Sequence, residues 1–406
     1  MRPLIQSQKL RGVRYDVRGP ILTEAQRLEQ EGHKILKLNI GNTGPFGFDA
    51  PEAILADVIH SLPESGGYSD ARGIYSARTA VAQYYQSRGL VDTRVEDVLI
   101  GNGVSELITM ALQAFVDNGN EILVPAPDYP LWTGAVTLAG GTAVHYRCDE
   151  ENGWLPDLAD IESKITDNTY GLVIINPNNP TGAVYSEDVL RGLVDIAVKH
   201  QLTIFADEIY EKIVYDGAVH HHVATLAGDE AIVLTFSGLS KAYRVCGYRA
   251  GWVMISGPKH LAADYLEGLN LLANMRMCAN VPAQHAIQTA LGGYQSINEL
   301  IAPGGRFHDQ VKLASRLLNE IPGVSCVEPA GALYCFPKLD HDLYPIEDDQ
   351  QFVIDLLHAK KILVTHGTGF NWFSPDHFRV VALPEEDVLV EAIGRIAEYL
   401  ESIRQG

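Results

Sequence analysis

The chain has 406 residues, 46% apolar and 20% charged, which suits an ordinary folded globule of two domains, or one large domain with a smaller attachment. Its 51 acidic and 31 basic residues leave a formal charge of −20, which repels nucleic acid and anionic membranes. No run approaches the roughly 20 apolar residues of a membrane span.

Residues 1–19, MRPLIQSQKLRGVRYDVRG, are basic but lack an apolar stretch and a small-residue cleavage site. That argues against a secretory signal and for a cytoplasmic protein. The five cysteines, Cys148, Cys246, Cys278, Cys326 and Cys335, contain no C-x-x-C pair. Reduced, mostly buried thiols are therefore expected, and neither a disulfide framework nor a zinc site.

From residue 98 the chain alternates short β-branched runs with helix-like segments. Strands are predicted at 98–101, 121–124, 143–147, 171–176, 202–207, 231–237 and 251–255. Runs apolar on both faces and separated by helices predict an α/β fold with a mostly parallel seven-stranded sheet. After Pro303 the pattern changes to a long amphipathic helix at 305–320, short strands near 332–336 and 378–382, and a closing helix. Residues 51–300 thus read as a large domain, and 301–406 with 1–50 as a smaller α+β domain. The acidic run 347–349 reads as a solvated turn.

Ligands of such sheets gather at the carboxyl ends of the strands, where the unusual residues fall. G-N-G-V-S-E-L-I, 101–108, superficially suggests a dinucleotide fingerprint, but Glu106 stands where a third glycine is needed. A single phosphate still suits the backbone N–H groups of Gly103, Val104 and Ser105. Tyr129 follows the next strand and can stack on a ring. N-P-N-N-P-T-G, 176–182, builds a rigid turn that aims Asn179 off a strand end, as a plain connector would also do.

Asp207, in A-D-E-I-Y, ends an apolar strand and needs either a cationic partner or a cap to serve. A protonated pyridine nitrogen is a suitable partner, and Tyr210 can reach the same ring. Adjacent His220, His221 and His222 point in different directions, and no carboxylate or cysteine is spaced to complete a metal site with them. Lys241 in S-G-L-S-K follows a buried strand, where desolvation frees an amine to attack an aldehyde. Ser237, Ser240 and Arg249 can supply charge-assisted bonds to a phosphate. Arg379 opens a late strand and matters if a carboxylate is gripped there.

Together, the order N-P-T-G, D-x-x-Y, S-K with an arginine eight residues on, and a late F-R resembles the class I aminotransferases of fold type I, across essentially the whole chain. The resemblance implies pyridoxal 5′-phosphate held as a Schiff base on Lys241, which also shuttles a proton. Asp207 would pair the pyridinium nitrogen, and Asn179 and Tyr210 the phenolate oxygen. Val104, Ser105, Ser240 and Arg249 would hold the phosphate, with Ser237 covering for Gly238, where many relatives carry serine. Tyr129 would stack on the ring and Arg379 would clamp the substrate α-carboxylate. Gly41 would admit the substrate backbone, and Tyr68 would reach the cofactor of a neighbouring subunit in a homodimer.

Y-D-V-R-G-P at 15–20, with N-I-G-N and F-G-F, is similar to the alanine aminotransferases, and closest to the bacterial glutamate–pyruvate branch. Ping-pong transfer between L-alanine and 2-oxoglutarate is implied, with amino acids and 2-oxo acids as the only partners beyond the second subunit. Broader specificity, or a C–S β-lyase on the same scaffold, is the alternative. A related transcription regulator would need a basic DNA-binding domain, for which there is no room before Gly41. Arg18 is expected to read the distal carboxylate of glutamate, with Tyr15 closing over the alanine methyl.

Overall fold

The computed structural model describes residues 2–13 and 19–405. All seven predicted strands form: β1 (Val98–Gly101), β2 (Glu121–Ala126), β3 (Thr142–Asp149), β5 (Thr169–Ile175), β6 (Thr203–Asp207), β7 (Val233–Gly238) and β8 (Gly251–Ser256). The eighth strand, β4 (Leu155–Pro156), corrects the expected count: the sheet has eight strands in the order β1-β8-β7-β6-β5-β2-β3-β4. Two residues, one a proline, are too few to give the alternation by which a strand is read. Strands β2, β3, β5, β6 and β7 run parallel to their neighbours among that set, whereas β8 and the edge strand β4 are antiparallel.

The apolar runs cover both faces of this sheet. Ile122, Val124, Val173, Ile175, Phe205, Leu234 and Phe236 pack in one layer with helices α1 (Val104–Phe115) and α2 (Leu131–Ala139). Their strand neighbours Leu123, Leu172, Ile174, Ile204, Ala206 and Val233 belong to the second layer, with helix α3 (Glu187–His200). Each buried aliphatic contributes about 1.5–3 kcal/mol relative to exposure, so the pattern anchors every strand from both sides.

The C-terminal part opens with α4 (Arg306–Asn319), one residue inside its expected span at each end. Strands β9 (Tyr334–Cys335), β10 (Thr365–His366) and β11 (Phe378–Val381) form a small antiparallel sheet in the order β9-β11-β10. Helices α5 (Asp349–Lys360) and α6 (Glu386–Ile403) complete it. Leu36–Lys37 pairs in parallel with Ile362–Leu363, which brings the N-terminal segment to this part. The acidic run at 347–349 is more than a solvated turn. Asp348 caps α5 by accepting from the Gln351 N–H at 3.0 Å, and buried Asp349 accepts from the Thr368 N–H and hydroxyl at 2.7 and 2.6 Å.

Asp128, just past β2, ties the two parts together. Its carboxyl accepts from Asn371 Nδ2 at 2.7 Å and Thr133 Oγ1 at 2.8 Å, and its N–H donates to Phe370 O at 2.9 Å. Among the described residues no helix is long and apolar enough to cross a membrane.

Candidate active site

A cavity of about 490 Å³ opens where β5, β6 and β7 end and α1 begins, closed on its far side by the C-terminal part. Lys241 lies in the loop after β7 and donates to Gly41 O at 2.9 Å. Gly238, the last residue of β7, leaves no space for a serine, since a Cβ there would lie 2.8 Å from Ala250 O. Ser240 lines the cavity beside Lys241. Ser237 does not: it sits inside β7 and donates to Glu211 Oε1 at 3.3 Å, so its assignment to a phosphate shell is corrected.

Arg249 is held by two carbonyls, with Nη1 2.9 Å from Cys246 O and Nη2 3.2 Å from Asn102 O. Its guanidinium fits only because Gly103 has no side chain: a Cβ would meet Nη2 at 2.2 Å. Gly103 caps α1 with φ 79° and ψ 167°, a region open essentially to glycine. Val104 and Ser105 follow in the first turn and line the cavity, so helix N-terminus and guanidinium form one anion cradle.

Asp207 is buried at the end of β6 and faces the same space. Trp132 Nε1 donates to its Oδ2 at 3.1 Å and the Ile209 N–H to its Oδ1 at 3.3 Å. Burial still outweighs these bonds and pushes the carboxyl up to about 6. A cation entering the cavity would relieve that cost.

The turn after β5 is built by Asn178, whose Oδ1 accepts from Thr181 Oγ1 at 2.8 Å and the Thr181 N–H at 3.2 Å. Asn179 is thereby turned into the cavity, where its Oδ1 accepts from Arg379 Nη1 at 2.8 Å. Arg379 also donates to Asn39 O, and its guanidinium lies between the rings of Tyr334 and Phe370, 4.4 and 4.6 Å from their centroids. Tyr129 and Tyr210 line the remaining wall.

Tyr334, in G-A-L-Y-C-F, is a cavity residue that the sequence reading missed; its hydroxyl lies 2.6 Å from that of Tyr210. Trp132 was missed as well. The signal available for Tyr334 was its polar hydroxyl within an otherwise apolar run.

Tyr68 does not line this cavity. It is 81% exposed and borders a separate depression with Asn102, Cys278 and Asn280. Tyr15 and Arg18 lie outside the described residues. All five cysteines are free, with Cys148, Cys326 and Cys335 buried.

The histidine reading needs correction on one point. The fold brings Glu208 and Glu211 to His220 and His222, with one possible donor atom of each within 4.8 Å of the others. His222 faces a carboxylate on both ring nitrogens, Nδ1 2.6 Å from Glu208 Oε2 and Nε2 3.6 Å from Glu211 Oε2. Burial is the largest single influence and pulls its pKa down, but Glu208 and Glu211 together turn the net direction up. Burial likewise works to raise Glu208, and His222 and His220 hold it well below the carboxylate range. His220 Nδ1 faces the Asn176 side-chain nitrogen at 3.4 Å, while Asn176 Oδ1 accepts from the Tyr185 N–H. The His222 ring thus lies between two carboxylates, with Glu208 in hydrogen-bond contact and Glu211 farther off.

The residues present fit pyridoxal 5′-phosphate. The cradle at Gly103 and Arg249 suits its phosphate, the buried carboxyl of Asp207 suits a ring cation, and the Lys241 amine suits its aldehyde.

The model of the aminotransferase class I and II family matches residues 33–396. Over 405 residues the chain is 60% identical to the glutamate-pyruvate aminotransferase AlaA of Escherichia coli strain K12, covering 100% of each. It is also 60% identical to an alanine aminotransferase of Mycobacterium tuberculosis strain H37Rv, covering 100% of this chain and 94% of that one. Among solved structures, an aminotransferase from Escherichia coli superposes with a TM-score of 0.98 at 59% identity over the whole of both chains. The alanine aminotransferase from Pyrococcus furiosus gives 0.93 at 35% identity, over 98% of this chain and 100% of that one.

Proposed function

The chain belongs to the class I and II aminotransferases, enzymes that work with pyridoxal 5′-phosphate, and we propose that it moves an amino group between L-alanine and 2-oxoglutarate, giving pyruvate and L-glutamate. The observation that carries this reading is the convergence of Lys241, Asp207, Arg249 and Arg379 on one cavity.

The cofactor supplies an aldehyde for the amino group and a ring that takes up the electron pair left at the substrate Cα. Arg249, Ser240 and the N–H groups of Val104 and Ser105 would hold its phosphate. Asp207 would keep the ring nitrogen protonated, Asn179 and Tyr210 would hold the phenolic oxygen, and Tyr129 would cover the ring. Lys241 would carry the cofactor covalently and, once displaced, move the Cα proton. Arg379 would grip the α-carboxylate in a bidentate fork, with its guanidinium already oriented by Asn179, Asn39 and two rings. Gly41 would let the substrate backbone approach. Arg18 would meet the distal carboxylate of the five-carbon substrates, with Tyr15 closing over the alanine methyl.

The same reading divides the chain into a large domain, 51–300, and a small one, 1–50 with 301–406, which the strand pairing of Leu36–Lys37 with Ile362–Leu363 supports. It also has two subunits sharing their sites through Tyr68. The exposed apolar residues Leu271, Met275 and Met277, near Cys278 in the Tyr68 depression, support such an interface. Five free thiols support a cytoplasmic setting.

Borohydride treatment of the loaded protein should fix the cofactor on the peptide carrying Lys241, and a donor panel against 2-oxoglutarate and pyruvate should favour alanine and glutamate. Label on another lysine, or a different preferred donor, would overturn the corresponding half of the reading.

A further inference from the structure

The hydroxyls of Tyr210 and Tyr334 lie 2.6 Å apart, and both residues are buried, at 3% and 2% exposure. Two phenols in one hydrogen bond must divide the roles: one gives its proton to the bond, and the other keeps its own for a different acceptor. The surroundings decide which. Tyr334 packs its ring against the Arg379 guanidinium, 4.4 Å from the centroid, whereas the Lys241 amine stands 5.7 Å from the Tyr210 centroid, and the nearer cation makes its phenol the stronger proton donor.

Tyr334 is also fixed in place. It lies on β9, paired with Val381 of β11, two residues from Arg379. Its hydroxyl abuts Gly41 so closely that a Cβ there would be 2.3 Å from the oxygen. The phenol therefore has little freedom to turn away from Tyr210.

We infer that Tyr334 is a positioning residue that donates to Tyr210 and so commits the Tyr210 proton to the phenolic oxygen of the cofactor. The inference rests on the reading of the site given above. A chain of hydrogen bonds polarises its members, so Tyr210 donates more strongly with Tyr334 behind it. A stronger bond draws negative charge from the phenolic oxygen, and that charge is what holds the proton on the nearby Lys241 nitrogen. Tyr334 thus lowers the pH at which the bound cofactor loses this proton, acting through Tyr210. Because Tyr334 comes from the C-terminal part and Tyr210 from the turn after β6, the order of donors exists only while the two parts are seated together.

The test is a pH titration of the visible absorbance of the loaded protein. Tyr334→Phe keeps the ring against Arg379 and removes only the donor, and the midpoint should rise by about 0.4–1 pH unit, the equivalent of one net hydrogen bond. Tyr210→Phe should raise it further, and adding Tyr334→Phe to that variant should produce no additional shift. An unshifted midpoint in Tyr334→Phe, or an equal shift in both backgrounds, would overturn the inference while leaving the site reading intact. Borohydride label away from Lys241 in the wild type would instead overturn the site reading, and the inference with it.

Discussion

The indole N–H of Trp132 holds Asp207 Oδ2 from the α2 side at 3.1 Å, while the Ile209 N–H holds the other oxygen. The carboxyl is therefore oriented before any cofactor arrives, and its position costs no reorganisation on binding.

Asp207→Asn should still take up cofactor but lose transamination. A charge-assisted contact contributes about 1.5–3 kcal/mol, so half-reaction rates with L-alanine should fall by at least ~10-fold. Trp132→Phe, which leaves the carboxyl but loosens it, should give a smaller loss. Single-turnover absorbance measurements check both, and an Asn variant with normal rates would remove Asp207 from the role assigned to it.

Gly103→Ala should weaken cofactor binding without unfolding the protein. Alanine at φ 79° and ψ 167° carries a strain of about 1–3 kcal/mol, and its Cβ would push Arg249 out of the cradle. Titration of cofactor into the apo protein should find affinity reduced by ~10-fold or more. Unchanged affinity would mean that the phosphate sits elsewhere.

Arg379→Lys replaces a planar fork by a point charge between two aromatic rings. The expected result is a loss of about 2–3 kcal/mol in kcat/KM for alanine, glutamate and both 2-oxo acids alike. Arg18→Ala, in contrast, should lower kcat/KM for glutamate and 2-oxoglutarate while nearly sparing alanine. Steady-state rates in each half-reaction separate the two arginines, and equal losses in Arg18→Ala would make it a general residue.

Asp128 should give stability a pH dependence opposite in sign to that of most carboxylates. Burial pushes its pKa up to about 7, from an ordinary 3.8. The folded state keeps a proton that the unfolded chain has shed, so this contribution is present below about pH 4 and lost as pH rises through 7. The titratable group facing it through Thr133 is His145, pushed down from 6.5 to about 4 by burial and Lys164; it acts in the reverse sense between those values and is present in both proteins compared. Tyr146 and Cys148 stay neutral across this range. Denaturant midpoints of wild type and Asp128→Asn, compared from pH 5 to 8, should move steadily in favour of the variant. A constant difference would sink this account.

Lys241, Asp207 and Asn179 were legible in the sequence because each follows an apolar run long enough to mark a strand end. Side-chain parity within β7 was equally legible but went unused. Phe236 faces one core layer, so Ser237 faces the other and meets Glu211, while Ser240 beyond the strand reaches the cavity. Tyr334 could not be assigned that way, since β9 has two residues and no period to count. Its place depends on pairing with β11, more than forty residues later, a relation that local patterns do not carry. The meeting of Glu208 and Glu211 with His220 and His222 likewise depends on how the intervening loop folds back.

The contact between Gly41 and the Tyr334 hydroxyl also restricts how this protein can diverge. An alanine at position 41 would strike an oxygen 2.3 Å away, with the ring carbon beneath it at 3.1 Å. Tyr334→Phe removes the nearer obstacle, so the two changes are accessible in one order and blocked in the other. Libraries that vary position 41 alone should return only glycine, whereas libraries built on a Tyr334→Phe parent should begin to accept alanine, with substrate preference shifting as the pocket is reshaped from both sides.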